Sequence, residues 1–182
     1  MSLTLWVGLL VSISFSQAFA TESLIIPPEY ATVEGQGGSG MLSAPIRGQA
    51  LYSSNYFPAA VLFIREIRMR PSVVWGHAFT GSVADIKIKM CTTTTPVSSP
   101  SSIFTNNFGP DLTSVFDGTL SISSSFTGPP SGPKAFDISI PLTAPFRYDP
   151  RAGNLLIEYR NYTGGNVSAV DARMVKIGRA HV

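Results

Sequence analysis

Ile86-Lys87-Ile88-Lys89-Met90 places apolar and charged residues strictly in turn, and Phe136-Asp137-Ile138-Ser139-Ile140 repeats the pattern later in the chain. A period of two sends one face of the segment onto a core and the other into water, which is the pattern of a half-buried strand. Outward from these runs the signal recurs. Arg65-Glu66-Ile67-Arg68-Met69-Arg70 sets Ile67 and Met69 on one face, Thr119-Leu120-Ser121-Ile122 alternates, and Gln49–Tyr52 and Leu155–Tyr159 read as further short strands. Turn-rich segments such as Gly128-Pro129-Pro130-Ser131-Gly132-Pro133 separate them. Asp117-Gly118 reads as a hairpin turn and Gly153-Asn154 as a turn feeding a strand, since Gly and Asn tolerate positive φ. No stretch carries a helical period of useful length, and no repeat recurs at a fixed spacing. Many short strands joined by Gly/Pro turns predict an all-β fold, a single antiparallel β-sandwich of jelly-roll type over residues 41–175.

Composition agrees. Charged residues make up 13% of the 182 residues, against roughly 25% in a typical domain. The N-terminus reads as an export signal, residues 1–20: an uncharged apolar stretch from Leu3 to Phe15, then Gln17-Ala18-Phe19-Ala20 in a small-x-small cleavage pattern. The stretch is short for a membrane span. A buried N-terminal strand or an uncleaved anchor is the competing reading. Residues 21–40 read as an extended lead-in: Pro27 and Pro28 exclude a central strand, and Gly35–Gly40 reads as a flexible loop without phosphate-loop chemistry.

The chain ends Ile177-Gly178-Arg179-Ala180-His181-Val182, which matches, codon for codon, the translation of a common short-read library adapter followed by its stop. Residues 176–182 are therefore read as foreign, and the sandwich as C-terminally truncated. Setting aside Lys176 and Arg179 leaves eleven basic against eleven acidic residues. Net basicity is then no argument for nucleic acid or anionic membrane.

Catalytic and metal motifs are absent. Cys91 is the one cysteine, so no intrachain disulfide forms; it reads as a small buried residue. His77 is the one histidine outside the foreign tail, without a Gly-x-Ser-x-Gly elbow, and one His with one Cys falls short of a zinc ligand set. Asp111, Asp117 and Asp149 fall in loops that could offer oxygen ligands to calcium, though turn formation explains each. No cofactor is expected. Exposed aromatics suit sugar contact, because a ring packs against pyranose C–H groups. Trp75, in a loop beside Gly76, and Tyr162 are the candidates; Tyr52 and Tyr56 read as core or strand-cap residues. Asn161-Tyr162-Thr163 and Asn166-Val167-Ser168 match the glycosylation sequon, a frequent chance match.

A further set of segments carries a resemblance: Gln49-Ala50-Leu51-Tyr52-Ser53-Ser54-Asn55-Tyr56-Phe57, Ile64-Arg65-Glu66-Ile67-Arg68-Met69-Arg70-Pro71, Ile86–Thr94, Val115-Phe116-Asp117-Gly118, Gly132–Ile138 and Pro150-Arg151-Ala152-Gly153-Asn154-Leu155-Leu156. Their order over residues 30–175 resembles uncharacterised secreted bacterial all-β proteins of the PEP-CTERM, exosortase-sorted type. The resemblance implies an exported, non-enzymatic surface or matrix domain, with a carbohydrate-binding or glycan-hydrolysing module as the alternative. Its implied partners are extracellular polysaccharide or other surface proteins, not nucleic acid. The family's Pro-Glu-Pro anchor does not occur here, so membrane attachment would come only through an anchor lost where the adapter begins.

Overall fold

The alternating runs form strands, most of them longer than the alternation alone marks. The computed structural model describes residues 7–17, 20–35 and 37–174. Within these the strands are β1 (Val7–Leu9), β2 (Val11–Gln17), β3 (Ala20–Ile26), β4 (Gly37–Ser39), β5 (Ile46–Tyr52), β6 (Leu62–Met69), β7 (Phe79–Thr93), β8 (Thr113–Ser124), β9 (Ile138–Tyr148), β10 (Asn154–Asn161) and β11 (Val170–Met174). Three short 3₁₀ turns, Pro28–Tyr30, Ser54–Tyr56 and Phe104–Asn107, are the helical elements.

One sheet runs β5-β10-β7-β8, a second β3-β2-β6-β9, and a small third β1-β11-β4. Every ladder is antiparallel, and the pairings nest: β4 with β11, β5 with β10, β6 with β9, β7 with β8. This is a long hairpin rolled onto itself, the pairing of a jelly-roll β-sandwich. The core lies between the two larger sheets. Ile64, Ile67, Met69, Ile138 and Ile140 from one and Ile86, Ile88, Met90, Leu155 and Ile157 from the other are fully buried in a single apolar cluster.

Two expected turns fare differently. Gly153 does turn the chain into β10, at φ +153°, and a Cβ there would lie 2.5 Å from the Thr93 carbonyl oxygen. Asp117-Gly118 is not a hairpin turn: β8 continues through it. The register slips between Val83 and Ile86, and Gly118, at φ +135°, sits opposite Ile86. A bulge uses the same Gly chemistry as a turn, so the dipeptide alone does not separate them.

The described part of the N-terminal apolar stretch, from residue 7, pairs into the sandwich. β2 sits between β3 and β6, and β1 borders β11. Leu9, Leu10, Val11 and Ile13 are at most 1% exposed, and the Tyr52 hydroxyl donates to the Leu9 carbonyl at 2.7 Å. Thus residues 7–17 pair as strands with residues 9–14 buried, and the sandwich draws on residues well before 41. An uncharged apolar run satisfies a signal segment and a core strand equally, and Ser12 and Ser14 supply the alternation a strand needs. Ala18 and Phe19 of the cleavage pattern, and the tail at 176–182, lie outside the described residues.

The lead-in at 21–40 is more ordered than expected. β3 is an edge strand and stops at Ile26, before the Pro27-Pro28 pair. Gly37–Ser39 of the expected loop is a strand against β11. Gly38 allows this because the Trp75 indole occupies the space of a Cβ: Cδ1 would lie 2.7 Å from it.

β6 and β11 meet at one end only. Pro71 bridges Val170, the Asp171 N–H donates to the Arg70 carbonyl at 2.9 Å, and the Ser72 N–H to that of Ala169 at 3.0 Å. Beyond this point β2 holds the β6 edge, with Ser12 opposite Arg68 and Ile13 opposite Ile67, while β11 pairs with β1, Leu9 opposite Ala172. A buried ion pair pins the junction: Arg70 Nε and Nη2 each lie 2.8 Å from Asp171 Oδ2, with side chains 1% and 0% exposed. Arg70 also donates to the Tyr30 and Val33 carbonyls, and both Asp171 oxygens accept the Gly35 N–H.

Candidate functional site

The outward face of the β5-β10-β7-β8 sheet divides into a covered and an open part. The segment between β7 and β8 folds over the covered part. Gln49 Nε2 donates to the Phe104 carbonyl and to Glu158 Oε2, Asn107 Nδ2 donates to Gln49 Oε1, and the Gly109 N–H reaches Cys91 Sγ. Glu158 is buried here and satisfied by Arg47, whose Nε and Nη2 lie 3.1 and 2.8 Å from Oε2. The Arg47 guanidinium also stacks on Phe104, 4.9 Å from its centroid. Burial pushes the Cys91 thiol up to about 11, so it is an inert core group, as its sequence context suggested.

One register step away the face is open and basic. Arg160 on β10 sits directly opposite Arg47 on β5 and Lys87 on β7. Like charges facing across strands repel, and the flanking pair are neutralised separately: Arg47 by Glu158, Lys87 by Asp117 at 2.7 Å. Among the described residues no carboxylate lies within ion-pair distance of Arg160. Its guanidinium instead stands 5.0 Å from the Tyr162 ring centroid. Pro45, Ile46, Arg47, Arg160, Asn161 and Tyr162 line an open cleft of about 270 Å³.

The turn after β10 holds Tyr162 in place. The buried Asn161 donates Nδ2 to the Met41 and Leu42 carbonyls, and its Oδ1 accepts the Thr163 and Gly164 N–H groups. The Tyr162 N–H donates to the Asp85 carbonyl at 2.9 Å. Tyr162 is left 47% exposed. The sequon at Asn161 is occupied structurally, because its amide is 2% exposed and fully engaged.

The other sequence candidates do not converge on this cleft. Trp75 is 66% exposed but lies in the β6–β7 connection over Gly38. Tyr52 is buried in the core, and Tyr56 packs against it. Exposed His77 does meet a serine that sequence reading missed: its N–H donates to Ser168 Oγ at 2.8 Å, and Nδ1 lies 3.4 Å from the same oxygen. Ser168 is 2% exposed and accepts a main-chain N–H, the geometry of a loop pin. Asp111 accepts the Thr92 N–H, Asp117 pairs with Lys87, and Asp149 pairs with Arg151, whose hydrogen bonds hold its carboxyl down to about 2. These aspartates stay apart, and the described residues contain no cluster of three potential metal ligands. The Arg47–Arg160–Lys87 row was invisible in sequence, because only strand register aligns residues so far apart.

Comparison with family models, curated proteins and solved structures finds no match to this chain.

Proposed function

We propose that this chain is an exported, non-enzymatic β-sandwich of the bacterial envelope or extracellular matrix. One observation carries the reading: the thiol, a buried serine and several carboxylates, groups that could do chemistry, are engaged in holding the fold. Cys91 anchors the Gly109 turn, Ser168 and His77 pin a loop, and Glu158, Asp111, Asp117, Asp149 and Asp171 each satisfy a main-chain N–H or a cation. The apolar N-terminus ending in Ala18-Phe19-Ala20, and the resemblance to secreted bacterial all-β proteins, support export. Fractionation of an expressing bacterium tests it. The protein is expected outside the cytoplasm with its N-terminus at Thr21 by mass spectrometry; an intact Met1 in the cytoplasm counts against export.

A second reading, a carbohydrate-binding module, is favoured by the half-exposed Tyr162 beside an open cleft. Affinity electrophoresis of the full chain through polysaccharide gels tests it. Retardation that Tyr162→Ala abolishes is the expected result, and unchanged mobility in every gel opposes it.

A further inference from the structure

We propose that the cleft between Arg160 and Tyr162 binds the carboxylate of an acidic sugar, a uronate residue in a polysaccharide; this rests on the carbohydrate-binding reading and names its substrate class. Three features of the cleft converge on that chemistry.

The first is charge. In the row Arg47–Arg160–Lys87 the outer cations are already paired, while Arg160 has no carboxylate partner among the described residues. A guanidinium offers a planar fork of donors that matches a carboxylate. The Arg160 guanidinium stands 5.0 Å from the Tyr162 ring centroid, and with no carboxylate partner among the described residues its N–H donors remain for a ligand.

The second is the apolar partner. Tyr162 presents half of its surface, enough to cover the C–H face of one pyranose ring. Ile46 and Pro45 continue the apolar wall. The third is preorganisation: Asn161 makes four hydrogen bonds that fix the turn, so little ordering is required on binding. The volume of about 270 Å³ suits a single residue of a chain. Nucleic acid fits less well, since backbone tracking needs an extended basic groove with several stacking rings, and this cleft offers one ring and one unpaired cation.

The experiment is calorimetric titration of the full chain with an oligogalacturonate, with its carboxyl-reduced neutral counterpart, and with a thymidine oligonucleotide. Oligogalacturonate is expected to bind, more weakly as salt rises. Arg160→Gln and Tyr162→Ala should each weaken it about tenfold or more. Arg160→Lys, which keeps the charge and loses the fork, should fall between. All three variants should melt with the parent, since both side chains are on the surface. Equal binding of oligogalacturonate by Arg160→Gln overturns the proposal, as does tighter binding of the oligonucleotide. Equal binding of the neutral oligosaccharide overturns the carboxylate assignment and leaves the glycan reading standing. Absence of binding to either saccharide overturns both.

Discussion

Removal of residues 1–20, the cut expected of a signal peptidase, strikes the fold at its most consequential point. β1 and β2 leave with it. Leu9, Leu10, Val11 and Ile13 are each at most 1% exposed, and burial of such a side chain contributes about 1.5–3 kcal/mol. The four together stabilise this arrangement by on the order of 6–12 kcal/mol, an upper bound because unfolded chains already bury some apolar surface. That is comparable to the whole stability of a domain, about 5–15 kcal/mol. The β6 edge now held by β2 opens at the same time. β11 is poised to take it, because the antiparallel register set at Pro71 and Val170 would bring Met69 opposite Ala172 and Ile67 opposite Met174. Val170 and Ala172 then align with the inward face of β6 while Asp171 keeps Arg70. The swap replaces four large apolar groups with fewer and smaller ones, so net stability falls. Urea denaturation and amide exchange of residues 1–182 and 21–182 test this. The shorter chain is expected to be several kcal/mol less stable and prone to aggregate, with protection on the β6 edge that β2 had held confined to Ile67–Met69 while the β9 side stays paired. Equal midpoints and slopes would refute the reasoning, for they would mean that burying Leu9 to Ile13 contributes nothing.

Three further outcomes follow from the same structure. Arg70→Met should cost about 3–5 kcal/mol by stranding the buried Asp171, whereas the double change Arg70→Met with Asp171→Leu should recover most of it; a double mutant no better than the single would contradict the pair's role. Burial, reinforced by the nearby Asp171, raises the Glu34 carboxyl above its ordinary value, against the opposing Val73 N–H and Arg70, and Glu34 Oε2 has no hydrogen-bond partner among the described residues. A raised acid favours the fold while protonated, so its contribution is complete below the ordinary range near 4.3 and is lost as pH rises through the raised value; Glu34→Gln should remove that slope from a stability–pH profile, and an unchanged profile would count against it. Cys91, buried with its thiol up to about 11, should resist iodoacetamide at pH 8 in the native protein and react once denatured; rapid native labelling would show the covering segment to be open.

Local pattern determined much of this molecule. Alternation in Ile86–Met90, Arg65–Arg70 and Phe136–Ile140, with the apolar run Leu155–Tyr159, marked four of the strands and the all-β class, because the pleat imposes its period on any segment with one buried face. Sequence context also placed Tyr52 and Cys91 in the interior, and both are buried, Cys91 on the outward face beneath the segment between β7 and β8. Where two structures demand the same local chemistry, sequence could not choose. Gly118 suits a turn or a bulge, and the partner across the sheet decided between them; the run from Leu9 to Ile13 suits both a leader and a strand, and its pairing came only with the sheet. Gly37–Ser39 became a strand only because Trp75 and β11 came to it. The cleft lay furthest from view: Arg47, Lys87 and Arg160 are distant in the chain and become neighbours through the β5-β10-β7 register alone, since alignment across strands is a property of the ladder and not of any one of them.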